Sequence, residues 1–279
     1  MPPRRLRLDQ ELVRRGLARS REHASELVAS GRVTVSGAVA TKPATGVTTD
    51  VAIVVREDPT TVDYVSRGGH KLAGALEAFA AHGVEVTGKR CLDAGASTGG
   101  FTDVLLRAGA REVVAVDVGY GQLAWSLQSD DRVQVHDRTN IRELTLDLIG
   151  DPVDLVVGDL SFISLALVLD PLLGVVREDG ELALMVKPQF EVGKDRVGKG
   201  GVVRDLELRA EAVTTIADLA AARGWGAVAV TVSPLPGPSG NVEFFLLLRR
   251  GPAAIDAGDI RAEVERAAPL GVPGERVDP

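Results

Sequence analysis

Apolar positions along the chain follow two spacings, and the helical one comes first. Leu8, Leu12 and Val13 make a short stripe that Gly16 closes. Ser20 opens a second stripe through Ala24, Leu27 and Val28, which Gly31 ends. From Arg32 to Val39 apolar and polar residues alternate about a Ser36-Gly37 turn, the pattern of a hairpin. Two short helices and a hairpin predict a small α+β domain over residues 1–60, closed by the polar run from Arg56 to Thr61.

A larger pattern follows. The stripe Leu72, Ala75, Leu76 and Phe79 predicts a helix. Strand-like runs at 90–94, 112–117, 132–135, 153–158, 181–187, 226–233 and 242–249 then alternate with helical segments. Such alternation predicts an α/β domain over residues 61–250 with a mostly parallel, doubly wound sheet. The proline-rich link from Pro234 to Gly240 predicts that one of the last two strands runs antiparallel. Residues 251–279, rich in Ala, Pro and acids, read as a loosely packed tail.

Composition removes several classes. The longest apolar region, Val153 to Val176, contains Asp154, Asp159 and Asp170, so no membrane span is expected. The basic N-terminus lacks an apolar core after it, so no signal peptide and a cytoplasmic location are expected. A single cysteine, Cys91, excludes internal disulfides and cysteine-rich zinc sites, and the four scattered histidines have no ligand spacing. No metal is expected. Charge is uneven: residues 1–50 hold nine Arg and Lys against five acids, whereas the other 229 hold 23 against 34. A basic head on an acidic body suits a polyanionic partner, and its eight arginines to one lysine suit phosphate oxygens.

The chemistry lies at strand ends. Leu92-Asp93-Ala94-Gly95-Ala96-Ser97-Thr98-Gly99-Gly100-Phe101 places glycines at a strand-to-helix turn, where backbone can approach a ligand. Asp117, 24 residues beyond Asp93, ends the next strand, where an acid can accept both ribose hydroxyls. The glycines are one step off the dinucleotide pattern, and no phosphate-loop Gly-Lys-Ser/Thr occurs. The motif resembles instead the S-adenosylmethionine site of Rossmann-like methyltransferases. That resemblance implies cofactor contacts from Asp93, Gly95, Ala96, Ser97, Thr98, Gly99, Gly100 and Asp117, with Asp137 at the adenine edge. Asp137 reads equally as a helix cap.

Asp159, Lys187 and Glu243 stand at the ends of three strands, and Lys71 at the start of the first large helix. Two lysines and two carboxylates can converge on one cleft there. A ribose 2′-hydroxyl is a poor nucleophile, so its methylation needs an oriented oxygen, a place for its proton and a stabilised alkoxide. Lys187 can serve as a cation or as a base. Amino methylation wants Asp/Asn-Pro-Pro-aromatic where this chain has Asp159-Leu160-Ser161-Phe162, and C5 methylation wants a cysteine that Cys91 is not placed to supply.

These motifs resemble known families. Arg7-Leu8-Asp9, Gly16 to Arg21 and Gly31 to Gly37 are similar to the RNA-binding module of ribosomal protein S4, which implies RNA contacts from Arg7, Arg19, Arg21, Arg32 and Lys42. The order Lys71, Asp159, Lys187, Glu243 resembles the tetrad of FtsJ-like ribose methyltransferases. With Ser66 to Leu72 and Lys199 to Asp205, residues 5–249 resemble the TlyA family. The resemblance implies S-adenosylmethionine-dependent 2′-O-methylation of cytidine in 16S and 23S ribosomal RNA, with ribosomal subunits as partners and no membrane. The competing readings are a non-catalytic RNA-binding or assembly factor, which has no need of the tetrad, and a membrane-active haemolysin, which needs an apolar segment the pattern lacks. Directly beyond Lys187, the glycine-rich stretch Glu191 to Gly201 carries Lys194, Arg196 and Lys199. It reads as a loop that orders over RNA, or as a solvated surface loop.

Overall fold

The structure, a computed structural model, describes residues 5–56, 62–237 and 239–268. Contacts divide the chain into two units, Met1–Ser66 and Arg67–Pro279. The expected boundary at residue 60 lies outside the described residues.

The first unit holds strands β1 (Arg5–Arg7), β2 (Val33–Val35), β3 (Ala38–Val39), β4 (Gly46–Thr48) and β5 (Ile53–Val55), with helices at Leu8–Arg14 and Arg21–Ala29. β2 pairs antiparallel with β3 and β5, and β1 with β4. Both predicted stripes face inward: Leu8, Leu12, Ala24, Leu27 and Val28 pack with Val33 and Val47. Ser20 caps the second helix, its Oγ accepting from His23 N at 3.1 Å.

The second unit is a seven-stranded sheet between helices. Its strands are β6 (Arg90–Ala94), β7 (Glu112–Val116), β8 (Val133–His136), β9 (Val153–Gly158), β10 (Val176–Val186), β11 (Trp225–Val232) and β12 (Phe244–Arg250). They lie in the order β11-β12-β10-β9-β6-β7-β8. β6 to β10 are parallel, and only β12 opposes its neighbours, as the proline-rich link predicts. Leu182 to Val186 are all buried because both faces of the sheet are covered.

Period-two alternation sorts the side chains of β10 and β12. Leu182, Leu184, Val186, Phe244 and Leu246 share a core with Val213 and Ile216 of helix Leu206–Ala221. On the opposite face Phe245 stacks on Phe101 of helix Gly100–Arg107, ring centroids 5.9 Å apart, and Met185 meets Lys71 of helix Gly68–Ala80. Lys187 and Glu243 continue this second face.

The expectation of a loose tail from residue 251 fails over Ala257–Arg266, which is a helix. Asp256 and Asp259 form a capping box, and Ile260 and Val264, one turn apart, are buried in the main core. Alanine-rich composition hid an amphipathic stripe. Residues 269–279 of the expected tail lie outside the described residues.

Candidate active site

Lys71 and the three strand-end residues form two ion pairs. Nζ of Lys187 lies 2.6 Å from Oδ1 of Asp159 and donates to Oγ of Ser161 at 2.9 Å. The Asp159 oxygen has no aligned hydrogen-bond donor, so this contact is charge attraction. An ammonium has three hydrogens, so with one given to Ser161 hydrogens remain for a further oxygen. Oε2 of Glu243 accepts from Nζ of Lys71 at 2.5 Å, and both side chains are buried. Gln189 Nε2 reaches the other Glu243 oxygen at 3.5 Å.

The backbone explains the convergence. Gly158 pairs with Leu184, and Val186 with Phe244, so the residues that follow β9, follow β10 and precede β12 meet at one edge. Pro188, first residue of the short helix Pro188–Glu191, ends β10 and leaves Lys187 extended at φ −112°. A Cβ on Gly237 would come within 2.6 Å of Glu243 Oε1. Ser161 and Gln189 carry no signal in the sequence beyond their places beside Asp159 and Lys187, and Gly237 is hidden in a proline-rich loop.

The glycine-rich turn lies on the same edge. Gly95, at φ +85°, packs so closely that a Cβ would sit 3.1 Å from the Asp159 carbonyl oxygen. Gly99, at φ +96°, leads into helix Gly100–Arg107, and a Cβ there would lie 2.2 Å from Leu127 Cδ1. Asp93 is fully buried; one carboxylate oxygen accepts from Thr102 N and Oγ1 at 2.9 and 2.7 Å, while the other has no donor. Burial pushes its carboxyl up to about 7, the Asp159 and Asp117 charges add to the rise, and the Thr102 bonds oppose it.

Asp117 accepts from Ser97 N at 2.8 Å and Gly119 N at 2.6 Å. Asp137 accepts from Gly121 N at 2.8 Å. The helix cap in that segment is Asn140, whose Oδ1 accepts from Arg142 N, so Asp137 is not the cap. Ala96, Thr98 and Gly100 complete the turn without side-chain bonds among those described. A cavity of about 510 Å³ joins Gly95, Ser97 and Asp117 to Asp159, Ser161 and Phe162. Phe162 is 92% exposed and in the left-handed region at φ +63°.

The basic residues divide by their partners. Asp9, buried, accepts from Arg7 at 3.0 and 2.9 Å and from Arg21 at 3.0 Å, and Arg7 foremost holds its carboxyl down at about 2. Both arginine side chains keep about half their surface, 47% and 56%. Arg32 donates to Asp63 at 3.3 and 3.1 Å and to Arg56 O at 2.9 Å. Arg19 and Lys42 are exposed. In the second unit Lys194 and Lys199 are exposed, whereas Arg196 is committed to Glu211 at 2.8 and 2.6 Å. The stretch from Glu191 is not one free loop: Val192, Val202 and Val203 are buried, and Asn241 ties Val203 N and Gly201 O.

Comparison with known proteins settles the class. An FtsJ-like methyltransferase model matches residues 64–250, and an S4 domain model matches residues 6–53. The chain is 58% identical over 265 residues, 95% of its length and 97% of the relative's, to the 16S/23S rRNA (cytidine-2′-O)-methyltransferase TlyA of Mycobacterium tuberculosis. The chain belongs to the TlyA family of FtsJ-like methyltransferases.

Other relatives agree in extent. Hemolysin A of Brachyspira hyodysenteriae is 36% identical over 241 residues, 86% of this chain and 98% of that one. A solved hemolysin-named structure from Streptococcus thermophilus has a TM-score of 0.74 at 33% identity, covering 95% of this chain and 96% of its own. Among the described residues no helix is long and apolar enough to cross a membrane, and no three His, Cys, Asp or Glu side chains group as metal ligands. As a TlyA-family RNA methyltransferase, the chain takes its methyl group from S-adenosylmethionine. The site fits that donor: a turn with Gly95 and Gly99 in the left-handed region, an aspartate with acceptor capacity left, and a cavity reaching Asp159.

Proposed function

We propose that the chain methylates the 2′-hydroxyl of cytidine in 16S and 23S ribosomal RNA. The observation that carries this reading is Lys187, buried beside Asp159 and Ser161 at the edge that holds the cofactor loop. S-adenosylmethionine supplies an electrophilic methyl carbon, and Gly95 to Gly100, Asp117 and Asp137 are the residues to hold it.

A hydrogen of Lys187 Nζ not taken by Ser161 orients the 2′-oxygen, and the ammonium stabilises the negative charge that develops on it. Oδ1 of Asp159, with no aligned donor, is the acceptor for the hydroxyl proton. Lys71 and Glu243 neutralise each other and hold the end of β12 beside Lys187. The exposed ring of Phe162 and the ring of Phe190, centroids 5.4 Å apart, offer a surface for a base taken out of its stack.

Arg7, Arg19, Arg21, Arg32 and Lys42, with Lys194 and Lys199, contact RNA phosphates and position ribosomal subunits in the cytoplasm. The experiment is methylation of 16S and 23S RNA by the purified protein with a methyl-labelled donor, followed by mapping of modified riboses, beside Lys187→Ala. Label on cytidine ribose that disappears with Lys187→Ala is expected. Label on a base, or undiminished label in the variant, overturns the proposal.

A further inference from the structure

Among the described residues, Glu191 is a half-buried carboxylate that neither pairs with a cation nor touches the tetrad. It ends the short helix that follows Lys187, and its two oxygens reach across to the segment that follows Asp159. Oε2 accepts from Ser164 Oγ at 2.5 Å and Oε1 accepts from Leu165 N at 2.9 Å. Burial raises its carboxyl above the usual range, against the pull of both hydrogen bonds. Ser164 is held in turn, since its Oγ accepts from Ala166 N at 3.1 Å and caps the turn Leu165–Leu167.

These bonds close a ladder between two chain segments. Its first rung is Lys187 against Asp159 and Ser161, its second Phe190 against Phe162, its third Glu191 against Ser164 and Leu165. The middle rung holds strain, because Phe162 is a bulky residue at φ +63°, in the left-handed region that L side chains rarely adopt. A turn in that conformation persists only where its surroundings impose it. The Lys187 side ties one end of the turn, and at the other end Glu191 adds two hydrogen bonds to the burial of Leu165 in the core.

We propose that Glu191 is a positioning residue for the proposed ribose methylation: it latches the Asp159–Leu165 turn to the Lys187 segment and so holds Asp159, Ser161 and Phe162 in register with Lys187. The inference rests on the functional reading above. Val192, the next residue, is buried against Val203 and Ala212, so loss of the Glu191 side chain leaves its own backbone anchored.

The test uses the full chain. Glu191→Ala removes both bonds; Glu191→Gln keeps an acceptor for Leu165 N and turns a donor toward Ser164 Oγ, which can accept. Expected are a kcat about tenfold lower in Glu191→Ala with cofactor Kd within about twofold of wild type, and recovery to within about threefold in Glu191→Gln. Hydrogen exchange at the Leu165 amide is expected to speed up in Glu191→Ala and to stay slow in Glu191→Gln. Because exchange does not depend on turnover, it judges the latch even if the wild-type chain modifies no ribose, the result that sinks the functional reading alone. Should Glu191→Ala be insoluble, Ser164→Ala reads the same rung, with a smaller kcat loss and faster Leu165 exchange expected. A soluble Glu191→Ala at wild-type kcat, a Glu191→Gln as slow as the alanine variant, or a Ser164→Ala indistinguishable from wild type in both readouts overturns the latch.

Discussion

Lys71 and Glu243, 172 residues apart in sequence, meet at 2.5 Å with both side chains buried. A buried pair of this kind contributes little net stability, but removing one partner strands the other charge. Lys71→Ala is therefore expected to destabilise the second unit by about 3–5 kcal/mol in urea unfolding. Gly237→Ala tests the same pair from outside, because its new methyl would stand 2.6 Å from the Glu243 carboxylate. A lowered kcat with unchanged cofactor affinity is expected; wild-type kcat would show that Glu243 tolerates displacement.

Lys187→Arg keeps the charge but replaces a compact ammonium by a planar fork. The space between Asp159 at 2.6 Å and Ser161 at 2.9 Å is set for a single nitrogen. Single-turnover methylation is expected to fall by at least about 10²-fold, the scale of a lost acid-base or alkoxide-stabilising contact. A variant within tenfold of wild type would show that charge alone suffices.

Asp9→Asn separates charge from arrangement in the basic module. Asp9 binds Arg7 and Arg21 together, so its loss adds a net positive charge and yet releases both guanidiniums. If arrangement governs RNA binding, affinity drops about tenfold, the value of one charge-assisted hydrogen bond. Filter binding at fixed salt decides it, and tighter binding would mean that net charge dominates. The depressed Asp9 carboxyl also stabilises the module above the unfolded pKa of 3.8, a contribution lost as pH falls toward 2.

Asp93 has the opposite sign. Its folded pKa, about 7, lies above the unfolded 3.8, so the folded state keeps a proton that the unfolded state releases. That contribution is complete below pH 4 and is lost as pH rises through 7. Stability of wild type relative to Asp93→Asn is expected to fall by roughly 4 kcal/mol between pH 4 and 8. Parallel urea midpoints for the two proteins across this range would refute the assignment.

Ile260→Ala probes the C-terminal helix. Ile260 is 2% exposed in the main core, so truncation is expected to cost about 3 kcal/mol with kcat unchanged at a temperature where the variant is folded. A cost under 1 kcal/mol would mean that the helix rests loosely after all.

Much of this was legible in the chain itself. Stripes at helical spacing, runs of buried strand and punctuating glycines specify their elements locally, so Leu8/Leu12, Ala24/Leu27/Val28 and the five apolar residues before Lys187 fall where the pattern puts them. The motif around Gly95 to Gly100 and the order of the tetrad were also readable, since strand ends in an open α/β sheet are where ligands gather. Partnership was not. That Lys187 pairs with Asp159 and Lys71 with Glu243, that Asp9 binds two arginines and Arg196 is consumed by Glu211, depends on sheet order and register, which bring together side chains far apart in sequence. Glu191 shows the limit most plainly. In the sequence it opens a basic, glycine-rich stretch; only the parallel pairing of β9 and β10 brings Ser164 and Leu165 within reach of its carboxylate, because a hydrogen bond is decided by ångströms that no local pattern encodes.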